Sequence, residues 1–467
     1  MLSTAIVGLL AIGVAWVWKL NGAMKETPPE VLAQSPHRWT DKEMRETYQR
    51  IKANPIDWTS HLPPKLHRRY IVTGGSGGVG GQIVLHLLAR GQPPESIRIV
   101  DFRKPDRSDM TVGPAAQVDF AQADITSPTV TSAAFDKPWP ATVAKLPLTI
   151  FHTAAIIAPA ERSLRTYDRV KRVNIDGVRH VLDASRASGA TIFISMSSAS
   201  VAYEPVQFWG NPLRRWPRNY WQAIDESDFD RPLRPHARFF GNYAHAKAVS
   251  ERIISAANTP AFRTGLVRPA NTIYGSSKGD QVVGYYLRAG TVPSWMPSIM
   301  QNFVHCGHVS LAHLLFEAAL LRGGGSGGSG GGAMPACACR PFTVTDAGPP
   351  PTFEDLYSLL RATVATPPIR LVYLPPAWTL VLAHAVEWVD LASRLPALGR
   401  AVPRPGGDLA LLQPAVFSAG AHYLASDAAA RRGVDEGGIG YRHVHTTMEG
   451  VCQQVLEWNI EHRDRSS

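Results

Sequence analysis

The sequence YIVTGGSGGVGG, residues 70–81, decides the fold class of this chain. Its first three residues are a short apolar run, and Gly74, Gly77 and Gly80 follow at the spacing G-x-x-G-x-x-G. Residues 82–90 then carry apolar side chains at helical spacing. Strand, glycine turn and helix in this order favour a bound pyrophosphate, because glycine lets the backbone approach it and the helix N-terminus offers N–H donors. The alternative is a tight turn that binds nothing.

A second strand is predicted at residues 97–100, and it ends at Asp101, 21 positions after Gly80. A carboxylate at this place accepts hydrogen bonds from an adenosine ribose and repels a 2′-phosphate, so the sequence favours NAD. Arg103, two residues further on, partly offsets that repulsion. NADP therefore remains the alternative cofactor.

Three further short apolar runs are predicted strands, at residues 148–152, 191–196 and 264–267. Helical stretches lie between them, and no internal repeat is present. Strands that alternate with helices predict an α/β fold. We expect a Rossmann-like, doubly wound parallel sheet with right-handed crossovers and helices on both faces.

Tyr243 and Lys247 lie four positions apart in a predicted helix, so they share one helix face. An ammonium group one turn away, together with a positively charged nicotinamide ring, would lower the pKa of the phenol. Tyr243 would then take a proton from a substrate hydroxyl. A serine cluster ends the strand before this helix, where side chains face the ligand crevice of a parallel sheet. We expect Ser198 to hold the substrate oxygen, with Ser197 as the alternative.

An uncharged segment opens the chain at residues 2–18. At about 1.5 Å per residue it nearly crosses a bilayer core of roughly 30 Å. Trp16 and Trp18 resemble an interfacial belt, and Lys19 follows in place of a small-residue cleavage site. We therefore predict a transmembrane anchor over residues 1–22 in preference to a cleaved signal peptide.

The polar residues 23–66 are rich in proline and are predicted to be a tether with one short helix at 41–52. Lys25 and Lys42 in this segment follow the anchor, whereas only the amino terminus precedes it. The positive-inside bias therefore predicts that the catalytic domain faces the cytosol.

The composition excludes several classes of protein. A chain of 467 residues with 45% hydrophobic and 18% charged side chains buries a large core and is not intrinsically disordered. The net charge is +10, but there is no dense basic run and no nucleic-acid motif, so no nucleic-acid partner is expected. A basic surface beside anionic lipid explains the excess charge equally well. The 4 cysteines are too few for a disulfide framework and indicate a reducing compartment.

Further short motifs stand in a fixed order along the chain. They are the TGxxGxxG loop at 73–80, Asp101, Asp124-Ile125, His152-Thr153-Ala154-Ala155, Val173-Asn174 with Gly177, the serine cluster, YxxxK, Arg268-Pro269 with Ile273-Tyr274-Gly275 and Asp280, and Phe303-Val304-His305. Together they resemble the extended short-chain dehydrogenase/reductases and, among them, the 3β-hydroxysteroid dehydrogenase/isomerase branch, sterol 4-carboxylate 3-dehydrogenases included. The resemblance spans about residues 69–460.

This resemblance assigns roles to residues of the chain. It implies a catalytic set of Ser198, Tyr243, Lys247 and Asn174, the last beside a water relay. It places the cofactor against Thr73, Gly74, Gly77, Gly78, Val79, Gly80, Asp101, Arg103, Asp124, Ile125, Thr153, Ala154, Ala155, Tyr243, Lys247 and Pro269. No metal is implied, and the spacing of His305, His308 and His313 is not that of a zinc motif.

The resemblance also implies a function and a location. The expected reaction is NAD-dependent oxidation of a 3β-hydroxysteroid or sterol to the 3-ketone, followed by isomerisation or by loss of a C4 carboxylate. The expected partners are the sterol, membrane lipid and a second copy of the chain, and the expected site is the endoplasmic reticulum membrane. The alternatives are an oxidoreductase or epimerase of another alcohol or sugar nucleotide, and a catalytically silent NAD-binding scaffold.

Two domains are expected, a Rossmann domain at residues 67–275 and a smaller substrate cap at 276–467 that sends some segments back to the first. Residues 323–332 are predicted to be a flexible Gly/Ser-rich insertion. Residues 371–386 are apolar and form either a buried cap helix or an element on the bilayer. Residues 206–222 mix aromatic rings with arginines, which suits either a lipid headgroup contact or a loop folded onto the cap.

Overall fold

The computed structural model describes residues 2–275, 280–322, 334–365 and 368–462, so the predicted insertion at 323–332 lies outside the described residues. Within the described ranges the strands are β1 Arg69–Thr73, β2 Ile97–Asp101, β3 Asp119–Gln122, β4 Leu148–His152, β5 Ala190–Met196, β6 Trp221–Ile224, β7 Arg263–Pro269, β8 Thr272–Tyr274, β9 Thr291–Ser294, β10 Phe303–His305, β11 Pro341–Val344, β12 Arg370–Tyr373 and β13 His422–Ala425. The helices are α1 Leu2–Met24, α2 Pro29–Leu32, α3 Asp41–Ala53, α4 Gly78–Ala89, α5 Pro128–Asp136, α6 Tyr167–Lys171, α7 Gly177–Ala187, α8 Asn242–Ala256, α9 Val283–Ala289, α10 Cys306–Arg322, α11 Phe353–Thr363, α12 Pro376–Ser393, α13 Pro414–Ala419, α14 Ala428–Arg431 and α15 Thr447–Glu461.

A parallel sheet of seven strands forms the centre of the molecule, in the order β3-β2-β1-β4-β5-β7-β11. The strand order reverses between β1 and β4, and in such sheets a ligand binds in the crevice at the carboxyl ends of the strands on either side of that reversal. The predicted Rossmann-like α/β fold is confirmed. The strands predicted at 97–100, 148–152, 191–196 and 264–267 correspond to β2, β4, β5 and β7.

Helices cover both faces of this sheet, because the side chains of each strand alternate between two apolar cores. Tyr70 and Val72 of β1 share a core with α4 and α10. Ile71 between them belongs to the other core, with α5, α7 and α8. Burial on both faces explains why these strands read as continuous apolar runs in the sequence.

Residues 23–66 do not form the predicted tether but pack onto the folded body. The helix predicted at 41–52 is present as α3, and it is capped by the Thr40 hydroxyl, which accepts a hydrogen bond from the Glu43 amide at 3.3 Å. Met44 and Ile51 of α3 are buried against α11 and α15. The polar, proline-rich composition was misleading because two apolar side chains on one helix face are enough to dock it.

The residues after 276 both build the cap and complete the central fold. Strand β11 extends the sheet beside β7, and α10 covers one face of the sheet together with α4. The cap proper contains α9, α11, α12 and α13 with the small sheets β9/β12 and β6/β13, and these elements share one hydrophobic core. Residues after 276 therefore contribute both to the central sheet with its covering helices and to the cap.

Two segments, residues 371–386 and 206–222, each had two interpretations from the sequence. Each places some of its side chains in the core and others at the surface. In residues 371–386, which supply β12 and most of α12, Leu380 and Ala383 are buried while Trp378 and Leu382 are exposed. In residues 206–222, Phe208 and Tyr220 are buried in the cap core. The loop is thus folded onto the cap through part of its aromatic side chains, as one of the two interpretations expects.

One stretch among the described residues, Ile6–Leu32, is long and apolar enough to cross a membrane. Its first part belongs to α1, whose side chains from Ile6 to Val14 are largely exposed. The last turns of α1 behave differently, because Leu20 and Met24 are buried in the cap core. The N-terminal part of α1 is therefore apolar and exposed, whereas its C-terminal part packs against the body of the protein.

Candidate active site

The glycine loop forms a cradle at the end of β1. Gly74 has φ +73°, a left-handed conformation that L side chains rarely adopt, and a Cβ atom there would lie 2.6 Å from the Ala154 amide nitrogen. A Cβ atom on Gly80 would lie 2.2 Å from the Gly74 carbonyl oxygen. Only glycine fits at these two positions, so α4 begins with its amide groups directly behind the turn.

Asp101 holds this cradle from the end of β2. Its carboxylate accepts hydrogen bonds from the Ser76 amide at 3.1 Å and from the Arg103 amide at 3.2 Å. The Ser76 hydroxyl in turn donates to the Arg103 carbonyl oxygen at 2.7 Å. The structure thus brings Asp101 and Arg103 to the glycine loop, and their contact with a cofactor stays a prediction.

The edge of β4 closes the other side of the cradle. The Thr153 hydroxyl donates to the Thr73 carbonyl oxygen at 2.8 Å, and Thr73 in turn pairs with His152 at 2.7 Å. Ala154 and Ala155 follow with half-buried side chains. Thr73 and Thr153 therefore join β1 to β4 through their hydroxyls, while the small alanines leave the space in front of the turn open.

Asp124 lies at the surface, whereas its neighbour Ile125 lies in the core. Asp124 is exposed, and its carboxylate accepts a hydrogen bond from the Thr126 amide at 2.9 Å. Ile125 is buried, and a Cβ atom on Gly177 would lie 2.9 Å from its Cδ1 atom. The side chain of Ile125 is thus occupied by packing against α7, and Asp124 is the member of the pair that is free to meet an adenine.

The tyrosine and lysine of the YxxxK motif lie on the buried face of α8. Burial raises the pKa of Tyr243 to about 12, and a hydrogen bond with Ser198 lowers it in part. Burial also lowers the pKa of Lys247 to about 8, and Glu251 opposes that shift. In the protein alone, burial therefore has the larger effect on the pKa of Tyr243, whereas the lowering expected from the sequence also involves the charge of a nicotinamide ring.

Lys247 is held by the strand that precedes the serine cluster. Its ammonium group donates to the Met196 carbonyl oxygen at 2.7 Å. An ammonium group has three N–H donors, so two remain for other partners.

The structure distinguishes between the two candidate serines. The Ser197 hydroxyl donates to a Glu251 carboxylate oxygen at 2.5 Å inside the core. Ser198 instead forms a hydrogen bond with Tyr243, and its Oγ atom lies 2.8 Å from that of Ser200. Ser198 is therefore the serine placed beside the phenol.

Asn174 lies in a π-helical turn, Arg172–Asp176, between α6 and α7. Its side-chain amide accepts from the Ile156 amide and donates to the Ile156 carbonyl oxygen, both at 2.9 Å. The Ser250 hydroxyl of α8 donates to the Asn174 carbonyl oxygen. Single π-helical turns are frequent at functional sites. Here the turn positions the loop after β4 relative to α8.

The sequence analysis missed a buried ion-pair network beside Pro269, which lies at the end of β7. Arg268 donates to both carboxylate oxygens of Glu251, at 2.7 and 2.6 Å, and also to Asp228 at 2.6 Å. Glu251 is the partner that also accepts the Ser197 hydroxyl. Glu251 follows Lys247 by four positions, so Y-x-x-x-K-x-x-x-E was a signal that a third side chain lies on the same helix face.

His313 and His308, two of the three histidines whose spacing was considered in the sequence, have different hydrogen-bond partners in the structure. His313 donates to the Val309 carbonyl oxygen at 2.7 Å and contacts Phe151 under the sheet. The His308 Nε2 atom accepts from the Val444 amide at 2.9 Å, so its Nδ1 atom carries the proton that is donated to Asp346 at 2.7 Å.

Asp346 is the centre of this second network. Burial alone would raise its pKa, but hydrogen bonds, the one from His308 first among them, outweigh burial and lower it to about 2. The donor atoms of His308, Asp346 and His445 lie within 4.8 Å of one another. Both ring nitrogens of His308 are already hydrogen-bonded, which explains this histidine as a structural partner of Asp346. That these residues hold no metal stays a prediction.

Comparisons with known proteins agree with this geometry. The model of the 3-beta hydroxysteroid dehydrogenase/isomerase family matches residues 71–372. A 3 beta-hydroxysteroid dehydrogenase/Delta 5→4-isomerase of Mycobacterium tuberculosis is 31% identical over 219 residues, which cover 46% of this chain and 49% of that protein. The 3 beta-hydroxysteroid dehydrogenase type 7 of Homo sapiens is 27% identical over 273 residues, which cover 55% of this chain and 66% of that protein. The chain thus spans between half and two thirds of the length of these relatives.

A solved structure shows the same fold. The UDP-glucose-4-epimerase of Stenotrophomonas maltophila, solved with bound NAD and formylated UDP-arabinopyranose, matches with a TM-score of 0.53 at 15% identity. The match covers 86% of this chain and 100% of that one. At this identity the likeness describes the fold alone.

Proposed function

The chain belongs to the 3-beta hydroxysteroid dehydrogenase/isomerase family, and from this premise we propose that it oxidises the 3β-hydroxyl group of a sterol with NAD while anchored to a membrane. The observation that carries the proposal is the arrangement of Ser198, Tyr243 and Lys247 at the carboxyl edge of β5. The carboxyl ends of β5 and β1 lie at the same edge of the parallel sheet, separated only by β4, and a ligand crevice is expected there because the order of the strands reverses.

The residues of the crevice fit a dinucleotide. Gly74 and Gly80 leave a cradle that any side chain would fill, and the N-terminus of α4 lies behind it. Asp101 supplies a carboxylate 21 positions after Gly80, a spacing that suits hydrogen bonds to the adenosine ribose. When bound, NAD supplies the acceptor for a hydride from the alcohol carbon.

Residues of this chain would then accept the hydroxyl proton and align the substrate with the cofactor. Ser198 holds the substrate oxygen, and Tyr243 takes the hydroxyl proton as the carbon–hydrogen bond breaks and the ketone forms. The two free donors of Lys247 are available to the nicotinamide ribose and to the phenol. The positive charge that arrives with the oxidised cofactor opposes the effect of burial and lowers the pKa of Tyr243 towards the working range.

A sterol is the proposed substrate because of the family and because the crevice belongs to a chain with an apolar α1. The 3-ketone would next isomerise or, where a C4 carboxylate is present, lose carbon dioxide, since a β-keto acid decarboxylates readily. A sugar nucleotide is the second candidate, and the fold shared with a UDP-sugar epimerase favours it.

The proposed membrane attachment is through α1, with the catalytic domain on the cytosolic side of the endoplasmic reticulum. Support comes from the exposed, apolar N-terminal part of α1 and from the basic residues that follow this helix. A homodimer is proposed from the family resemblance alone.

A substrate screen tests the proposal. Full-length protein in detergent or nanodiscs would receive NAD and 3β-hydroxysterols with and without a C4 carboxyl group, and separately UDP-sugars. We expect NADH to form with sterols, with mass spectrometry detecting the ketone or the loss of carbon dioxide. Turnover of UDP-sugars without any sterol oxidation would contradict the proposal, and absence of turnover together with NAD binding would favour the silent scaffold.

Asp101→Ala tests the choice of cofactor. Removing the carboxylate removes its repulsion of a 2′-phosphate and frees Arg103 to pair with that group, so kcat/KM with NADP should rise relative to NAD. Wild-type protein should prefer NAD. Asp183→Ala, which removes an exposed carboxylate from α7, serves as the control that leaves the preference unchanged. A wild-type kcat/KM that is higher with NADP would show that this interpretation of Asp101 is wrong.

A further inference from the structure

A cavity of about 180 Å³ lies at the foot of α1, between this helix and residues 207–218. Trp16, Lys19 and Leu20 of α1 form one wall. The opposite wall comes from the loop, with Phe208, Trp216, Arg214, Arg215 and Arg218 among its lining residues. We call this space the α1 foot pocket. It lies apart from the glycine loop and the catalytic residues, none of which line it.

The loop is fixed to the helix by several contacts. The Lys19 ammonium group donates to the Pro212 carbonyl oxygen at 2.5 Å. The rings of Trp16 and Trp209 meet edge to face with centroids 6.1 Å apart. On its far side Trp209 donates to His384 of α12 at 2.8 Å. The pocket is therefore a defined space between three elements rather than a gap beside a loose loop.

The walls of the α1 foot pocket carry an excess of positive charge. Four cationic side chains line it, those of Lys19, Arg214, Arg215 and Arg218. Arg215 pairs with Glu26 at 3.1 Å. For Lys19, Arg214 and Arg218 no ion pair is formed with any residue of the described ranges. An anion would therefore find three uncompensated cations around one cavity, next to aromatic rings.

The position of the pocket along α1 selects the kind of anion. The helix is apolar up to Trp18, which is 73% exposed, and turns basic at Lys19, so this level corresponds to the boundary between hydrocarbon and headgroups. The loop carries an apolar tip at the same level, since Leu213 is 87% exposed between Pro212 and Arg214. A bare leucine beside arginines suits a surface where acyl chains meet phosphates.

We propose that the α1 foot pocket binds the phosphate headgroup of an anionic phospholipid from the leaflet in which α1 ends. Arg214 and Arg218 hold the phosphate oxygens, Lys19 adds a third charge, and Leu213 enters the acyl region beside the bound lipid. This inference rests on the proposed membrane anchoring. It goes further, because it names a specific lipid class and the residues that select it.

Tryptophan quenching in vesicles tests the proposal, since Trp16 and Trp216 line the pocket and Trp209 contacts Trp16. Full-length protein would be reconstituted in phosphatidylcholine vesicles that contain a rising share of dibrominated phosphatidic acid or, separately, dibrominated phosphatidylcholine. For wild-type protein we expect stronger quenching by the anionic lipid at equal share. For the variant Arg214→Gln with Arg218→Gln, the share giving half-maximal quenching by phosphatidic acid should rise about tenfold or more.

A matched double variant controls for charge. Arg45→Gln with Lys52→Gln removes the same charge from the exposed face of α3 and should quench like wild type. Inorganic phosphate added to wild-type vesicles separates the two sources of the anion, and we expect it to leave the selective quenching unchanged. Displacement by free phosphate at millimolar concentration would contradict a lipid site.

The remaining outcomes are distinct. Equal quenching by both brominated lipids in wild type, or an unchanged preference in the Arg214/Arg218 variant, would overturn the headgroup site while leaving the anchor intact. Failure of the protein to float with either kind of vesicle would overturn the anchoring and this inference together. Sterol turnover of the same samples in detergent is measured in parallel, so that a loss of the enzyme itself is recognised.

Discussion

Tyr243→Phe is expected to lower kcat for sterol oxidation by about 10²-fold or more. The expected affinity for NAD stays within a few fold, because the phenol acts on the proton in the transition state whereas the glycine loop and Asp101 hold the cofactor. The structure supports this division. Tyr243 forms its hydrogen bond with Ser198, and the glycine cradle is built from β1, β4 and α4.

The pH dependence gives a second readout for the same residue. Burial raises the pKa of Tyr243 to about 12 in the protein alone, so the phenol is protonated near neutral pH. Turnover that needs the phenolate should therefore rise with pH until the pH reaches the pKa that the phenol has beside the bound oxidised cofactor. The residual turnover of Tyr243→Phe should lack this rise.

A matched tyrosine provides the control. Tyr167 also contacts α8, through a hydrogen bond of 2.6 Å to His245, but it has no contact with Ser198. Tyr167→Phe should therefore keep most of the wild-type kcat. If Tyr243→Phe kept more than about a tenth of kcat, the assignment of the catalytic base would be wrong.

The parts of the site that could be predicted from the sequence depend on short distances along the chain. The glycine spacing fixes one turn between β1 and α4, and the four-residue spacing of Tyr243 and Lys247 fixes one helix face. The serine cluster could be placed because a strand end in a parallel sheet has only one edge to face. Which of the two serines meets the phenol required the structure, since a single step along the strand turns one side chain into the core.

The parts that could not be predicted depend on contacts between distant segments. Met44 and Ile51 dock α3 onto α11 and α15, far along the chain, so composition alone suggested a tether. The rise in the pKa of Tyr243 in the protein alone could not be predicted for a related reason, because the degree of burial depends on the whole cap. The pairing of His308 with Asp346 also joins residues that are 38 positions apart.

The ion pair of Arg268 with Glu251 shows how a distant contact supports the catalytic residues. Glu251 lies one helical turn after Lys247, and its carboxylate also accepts the hydroxyl of Ser197, the neighbour of Ser198. Arg268 therefore joins β7 to α8, and Glu251 joins α8 to the end of β5. The positions of Ser198 and Tyr243 relative to each other depend on this network.

Arg268→Met is expected to lower the free energy of unfolding by about 3–5 kcal/mol, because it leaves the buried carboxylate of Glu251 without its main partner. The measurement is urea denaturation of the full-length protein in detergent. Arg340→Met is the matched control, since Arg340 also pairs with an aspartate, Asp230, but this pair is largely exposed. The control should cost less than about 1 kcal/mol.

The double variant Arg268→Met with Glu251→Leu distinguishes two causes of lost stability, an unpaired buried charge and lost packing. Removing both charges leaves no fully buried ion without a partner, because the remaining carboxylate, that of Asp228, is partly exposed, so most of the lost stability should return. Its kcat should nevertheless stay low, because neither Ser197 nor Asp228 regains its partner and the end of β5 is no longer tied to α8. Equal losses of stability in Arg268→Met and Arg340→Met would show that the network does not hold these elements together. Full recovery of kcat in the double variant would show that the catalytic residues are positioned without it.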